Sequence, residues 1–175
     1  STQKVYTLAA GRGETTNVLL RGDPDSIGDV VPPGATSALA SLSADFALAP
    51  DAAEGERRRK LSAWITHDAN PRFARVIVNR LWHYHFGAGI VDTPNDFGFT
   101  GGRPSHPQML DFLASQLKEQ GYRLKWLHRT IVSSSAYRQS TYGLAADQWQ
   151  HANAVDTSNR LLWRGSPRRL DAESL

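Results

Sequence analysis

The spacing of apolar side chains changes character near residue 55. Ahead of that point the apolar positions come in short runs. Residues 4–8 (KVYTL) and 16–20 (TNVLL) are β-prone and are separated by a segment holding Gly11 and Gly13, which predicts a hairpin with a long loop. Two strands alone are marginal in water, so such a hairpin needs a sheet or a helical face supplied from elsewhere. The stretch RGDPDSIGDVVPPG at 21–34 is turn chemistry throughout and reads as an extended arm. Residues 35–55, rich in Ala, Ser, Asp and Pro and without a period, read as a surface linker.

Beyond residue 55 the period becomes helical. Leu61, Trp64 and Ile65 predict a helix from Arg57 to Thr66, after which Asn70 is placed to cap a second helix with Pro71 at its first position. In that second helix Phe73, Val76, Ile77, Leu81 and Tyr84 form one stripe, Val78, Trp82 and His85 lie beside it, and Gly87 and Gly89 end it. A long loop follows at 89–107, with Ile90, Val91, Phe97 and Phe99 expected to pin it to the core. Ser105 is expected to cap a helix from His106 to Gln120, with Pro107 near its start, Gly121 past its end, and Met109, Leu110, Phe112, Leu113 and Leu117 inside. Further helices are expected from Leu124 to Tyr137, as a short turn around Ala145–Gln150, over Asn159–Arg164, and from Ser166 onward. The last stops after so few residues that the chain is expected to continue past 175. The fold class is therefore mainly α: a compact multi-helix domain (56–175) preceded by a short β-hairpin, extended arm and linker (1–55).

Charge sharpens this division. Residues 1–55 carry 3 basic and 7 acidic side chains, and residues 56–175 carry 17 and 10. The helical part is thus basic enough to make an anionic polymer a candidate partner, with nucleic acid not favoured. The densest run, Arg57 to Lys60, falls where a helix begins and reads first as a solvated face. The absence of cysteine excludes disulfides, thiolate metal sites and covalent c-type haem attachment within the chain. No apolar run approaches the roughly 18 residues of a membrane span.

Few residues stand out chemically. His83 and His85 point to opposite sides of a helix and cannot share a metal while helical, so no metal site is expected. Asp96, His106 and His85 are the candidates for an acid–base site of hydrolytic type, if they converge. The competing reading is that Asp96 forms an Asx-type turn and that His106 sits in a first helical turn. Arg80, beside Asn79 on an apolar helix, is expected to be buried against Asp96 or another carboxylate and to lock the long loop onto the helices. Trp82 reads as core, and Arg168 and Arg169 as structural residues opening the last helix near Asp171 and Glu173. Trp149 is the tryptophan in a polar setting. Ser133–Ser135 lack the setting of a nucleophile elbow.

The runs VNRLWHYHFGAGIVDTPNDFG (78–98), HPQMLDFLASQL (106–117), LKWLHRTIVSSSAYRQS (124–140) and NRLLWRGSPRRLDAESL (159–175) resemble the planctomycete cytochrome-associated domain of unknown function. The stretch NVLLRGDPDSIGDVVPPG (18–34) is similar to what precedes that domain. The resemblance matches His85 better than His83. It implies the C-terminal region of a large exported protein with a c-type cytochrome segment elsewhere, so that haem belongs to the parent and no cofactor to this chain. It implies no activity. Three functions follow as expectations: an accessory, non-catalytic domain packing on other domains of the same polypeptide; a hydrolase acting on polysaccharide; or a basic module binding nucleic acid or an anionic polymer.

Overall fold

The computed structural model describes residues 11–167. Among these residues it holds a two-stranded antiparallel sheet, β1 (Thr16–Leu19) and β2 (Ile27–Val31), and five α-helices: α1 (Glu54–Ile65), α2 (Arg72–Phe86), α3 (Pro107–Glu119), α4 (Leu124–Ser133) and α5 (Ala146–Val155). The mainly-α expectation with a short N-terminal hairpin holds. The chain divides into two compact units, one up to Pro71 and one from Arg72. By compactness, therefore, α1 belongs with the first unit, whereas the change of sequence pattern falls just ahead of it.

In the first unit β1 pairs with β2, in the register Thr16 with Val31, Asn17 with Val30 and Leu19 with Ile27. The partner of 16–19 is thus the segment read as an extended arm, and residues 4–8 lie outside the described residues. The cause is the turn chemistry itself. Arg21 and Gly22 take positive φ, and the Asp23 carboxylate accepts the Asp25 N–H and the Ser26 hydroxyl, folding Ile27–Val31 back onto β1. The segment read as a surface linker is anchored by a Gly34–Asp45 bridge and by buried Leu39 and Phe46. Of the basic run, Arg57 donates to the carbonyls of Glu14, Pro50 and Ala52, and Arg58 pairs with Glu54. Asn70 is buried, and its amide donates to the carbonyls of Trp64 and Ile65. Its amide nitrogen thus closes the end of α1.

The second unit is built on α2, α3 and α4. Ala74, Val78 and Trp82 of α2 meet Leu110, Leu113, Ala114 and Leu117 of α3, Leu127 and Ile131 of α4, and Ile90 and Val91 of the long loop. The deepest line on α2 is therefore Ala74, Val78 and Trp82, one position on from the predicted stripe, and Tyr84 is exposed. Phe112 likewise faces out, as does Phe99 in the loop. After α3 the chain reverses through Gly121 and Tyr122, both with positive φ, and the Gly121 and Tyr122 N–H groups cap the carbonyls of Lys118 and Leu117. Ser105 does not cap α3. Its hydroxyl and N–H both donate to the Ile90 carbonyl, closing the long loop on itself, and His106 is the N-cap residue. Helix α4 ends at Ser133, four residues earlier than expected, and α5 is a ten-residue helix where one turn was expected.

The segment 159–164 is not helical. The Asp156 carboxylate accepts the N–H groups of Arg160 and Leu161, and the Asn159 side chain bonds both the N–H and the carbonyl of Arg164, leaving Asn159 and Leu162 at positive φ. Short polar side chains have won the backbone groups that a helix would have used. The helix expected from Ser166 onward, with Arg168 and Arg169, lies outside the described residues.

Candidate functional site

The long loop between α2 and α3 is where the chemistry-bearing residues gather, and Asn79 holds it. Asn79 is fully buried, its amide oxygen accepting the Val91 N–H at 2.8 Å and its amide nitrogen donating to the Val91 carbonyl at 2.9 Å. This satisfies both polar groups of a buried peptide from one side chain. Gly89 lies so close to this pair that a Cβ would stand 2.2 Å from the Val91 carbonyl oxygen and 2.8 Å from the Asn79 amide nitrogen. A side chain at 89 would therefore break the clamp.

The role given to Arg80 belongs to its neighbour. Arg80 is exposed, and its guanidinium reaches the Asn95 amide oxygen at 3.1 Å rather than Asp96. On a helix, adjacent residues differ by about 100° of rotation, so one of Asn79 and Arg80 faces the loop's backbone and the other its rim. Trp82 is in the core and stacks on Phe86, with ring centroids 4.1 Å apart.

Asp96 organises the loop's tip. Its carboxylate accepts the Thr100 hydroxyl at 2.8 Å and the Gly98 N–H at 2.7 Å, while its carbonyl accepts the Thr93 hydroxyl. The Thr100 hydroxyl first, then the Gly98 N–H and the nearby Arg72 charge, hold the carboxyl below the usual carboxylate range. A base so stabilised as its anion is a poor proton acceptor. His106 faces the Ser105 hydroxyl through Nδ1 at 3.0 Å. His85, on the last turn of α2, places Nε2 2.8 Å from Nδ1 of His128 on α4, with the Tyr137 ring edge-on at 5.7 Å. Helix α2 runs unbroken through both His83 and His85. No group of three or more His, Cys, Asp or Glu able to hold a metal occurs among the described residues.

Two clefts adjoin this loop. The larger, about 470 Å³, lies between its glycine-rich half and α3 and is bordered by Arg75, Phe97, Arg103 and Asp111. Arg75 and Asp111 span it at 2.7 Å, an ion pair open enough to water to contribute little stability. The smaller, about 190 Å³, is bordered by Trp82, Phe86, Asp92, His106, Asn159 and Arg160. There Arg160 bridges the Asp92 carboxylate at 3.1 Å and the Arg103 carbonyl at 2.6 Å, tying the segment after α5 to the loop. Asp96 and His85 border neither cleft, so the three residues proposed for acid–base work lie in three different settings.

Asp92, Arg160, Asn159 and His128 carry much of this site; His128 falls at helical spacing with Leu124, Leu127 and Ile131, but periodicity singles out none of the other three. Arg160 and Asp92 are 68 positions apart, so only the fold brings them together. Asn159 had one legible signal: a short polar residue just before an apolar run.

The model of the PSD1 family, described as a protein of unknown function (DUF1553), matches residues 57–175, about two thirds of the chain. No curated protein and no solved structure matches.

Proposed function

The chain belongs to the DUF1553 family of proteins of unknown function, and from that premise we propose that it is a non-catalytic accessory domain that packs on neighbouring domains of an exported, cytochrome-linked protein. The observation that carries this reading is how the candidate reactive groups are engaged. Asp96 accepts two hydrogen bonds within its own loop, His106 meets its neighbour Ser105, and His85 meets His128. A hydrolytic site needs a base and an orienting partner aimed at one reacting atom.

The hairpin supplies the second support. Val18, Leu19, Leu20, Ile27, Val30 and Val31 are 41–67% exposed, an apolar surface that an isolated two-stranded sheet does not bury for itself. The hairpin also lies ahead of the family match, which begins at residue 57. Haem, on this reading, sits in another segment of the parent, because this chain has no cysteine with which to attach one covalently. No helix among the described residues is long and apolar enough to cross a membrane.

Hydrogen exchange tests the proposal. Amides of residues 16–31 should exchange at least roughly a hundredfold more slowly in the full-length parent than in the isolated 175-residue chain. Equal rates in the two would refute packing on neighbouring domains, and turnover of any polysaccharide that is abolished by D96N, H106A and H85A would restore the hydrolytic reading.

A further inference from the structure

A third pocket lies away from the long loop, between residues 139–144, the start of α5 and the segment after it. It has a volume of about 220 Å³. Tyr142, Trp149 and Trp163 border it, and they are not arranged as core. Tyr142 is 81% exposed and Trp149 42%, and α5 buries no residue. The two indoles meet edge to face, centroids 6.3 Å apart at 72°. Trp163 is held in place by its own N–H, which donates to the Asp156 carbonyl.

Arg164 is the pocket's charge. Its guanidinium carbon sits 5.1 Å from the centre of the Trp163 ring, and its Nε is buried without an acceptor among the described residues. Among the described residues no carboxylate borders the pocket. Arginine is always protonated, and a buried N–H without an acceptor is costly. The backbone fixes this placement: Asn159 holds the Arg164 peptide from both sides, and the Gly165 N–H donates to the Ser140 carbonyl at 2.9 Å. A Cβ at Gly165 would stand 2.5 Å from the Gln139 carbonyl, so the close approach requires glycine.

We propose that this pocket binds an acidic sugar unit, its ring stacked on Tyr142 and Trp149 and its carboxylate or sulfate ester paired with Arg164. Each part of the pocket answers a part of such a ligand. A sugar ring offers an apolar C–H face to an aromatic side chain and hydroxyls to polar rims, here Gln139 and Thr141. A single planar guanidinium beside aromatic rings matches one singly charged oxyanion. The volume is small beside the roughly 300–1,000 Å³ of pockets for drug-sized ligands, so it suits one ring rather than a base, ribose and phosphate together. This binding activity does not depend on whether the chain also packs on neighbouring domains.

Calorimetric titration of the 175-residue chain at physiological salt tests the proposal with four probes: oligogalacturonate, a sulfated galactan oligosaccharide, a neutral galactan oligosaccharide of equal length, and AMP. At least one acidic saccharide should bind and change tryptophan fluorescence, and which one binds identifies the anion as carboxylate or sulfate. Y142A and R164Q should each weaken it about tenfold. Y142A removes an exposed side chain, so loss of fold is not its expected effect, and far-UV circular dichroism checks this for both variants. Absence of binding by either acidic saccharide would overturn the proposal. So would equal affinity for the neutral one, tighter binding of AMP, or binding that Y142A leaves unchanged, the mark of a merely basic surface.

Discussion

Leu19 on β1 and Leu117 on α3 are the same residue in opposite circumstances: the first is 45% exposed and the second 0%. The difference extends to their surroundings. No residue of either strand is buried, whereas α2, α3, α4 and the loop between the first two contribute an eleven-residue buried cluster. The hairpin is specified by local turn chemistry, with Asp23 and two positive-φ residues setting the reversal. The helical core is specified by contacts between residues far apart in sequence. An element can therefore be well defined in shape while, among the described residues, its own apolar side chains stay unburied.

The sharpest way to break this comparison is to truncate both leucines. Leu117→Ala should cost about 2–5 kcal/mol, and Leu19→Ala in the isolated chain no more than about 0.5 kcal/mol. Denaturant unfolding of the two variants measures both. Similar losses would mean that the hairpin is as much a part of the stable structure as the helices.

Next in size is the clamp on the long loop. Asn79→Ala should cost about 2–4 kcal/mol, because the N–H and the carbonyl of Val91 both lose their partner in a buried site. Arg80→Ala, one residue on, should change stability by less than about 0.5 kcal/mol, since its bond to Asn95 is exposed. Thermal melts that rank the pair the other way would return the role of lock to Arg80.

The smallest effect should appear in acid. Asp96 is held below the ordinary range by the Thr100 hydroxyl and the Gly98 N–H, and Asp156 chiefly by the Leu161 N–H. Each lowered group contributes stability that is present above the unfolded aspartate value, about 3.9, and is lost as the pH falls through its lower folded value. Asp96→Asn should therefore be slightly less stable than the parent chain at pH 7 and converge on it in acid, so that its melting temperature declines less steeply below pH 4. An acid limb identical to that of the parent chain would show that the carboxylate's hydrogen bonds in the loop leave stability unaffected.

Much of the fold is legible in the sequence. The α3 helix announced itself through Pro107, an apolar stripe and Gly121, signals that act within one or two turns of chain. The same is true of the loop after α2, where Ile90 and Val91 are buried as their apolar character implied. The site was less legible. Arg80 attracted attention because a lone charge on an apolar helix demands a partner, yet a shift of one residue in the buried line put it outside and Asn79 inside. The segment 159–164 has helical spacing, but Asp156 and Asn159 take its backbone groups, and periodicity does not register that competition.

Taken alone, the sequence determined the helical period after residue 55, the exclusion of thiol and covalent haem chemistry, and the reversals at glycine and aspartate, all of which depend on residue type or near neighbours. Only the tertiary structure decided that Asn79 rather than Arg80 grips the loop and that Arg160 meets Asp92 across 68 positions. Those outcomes depend on which side of an element faces the core and on which distant groups the packing brings within hydrogen-bond reach. Neither is encoded by any short stretch of chain.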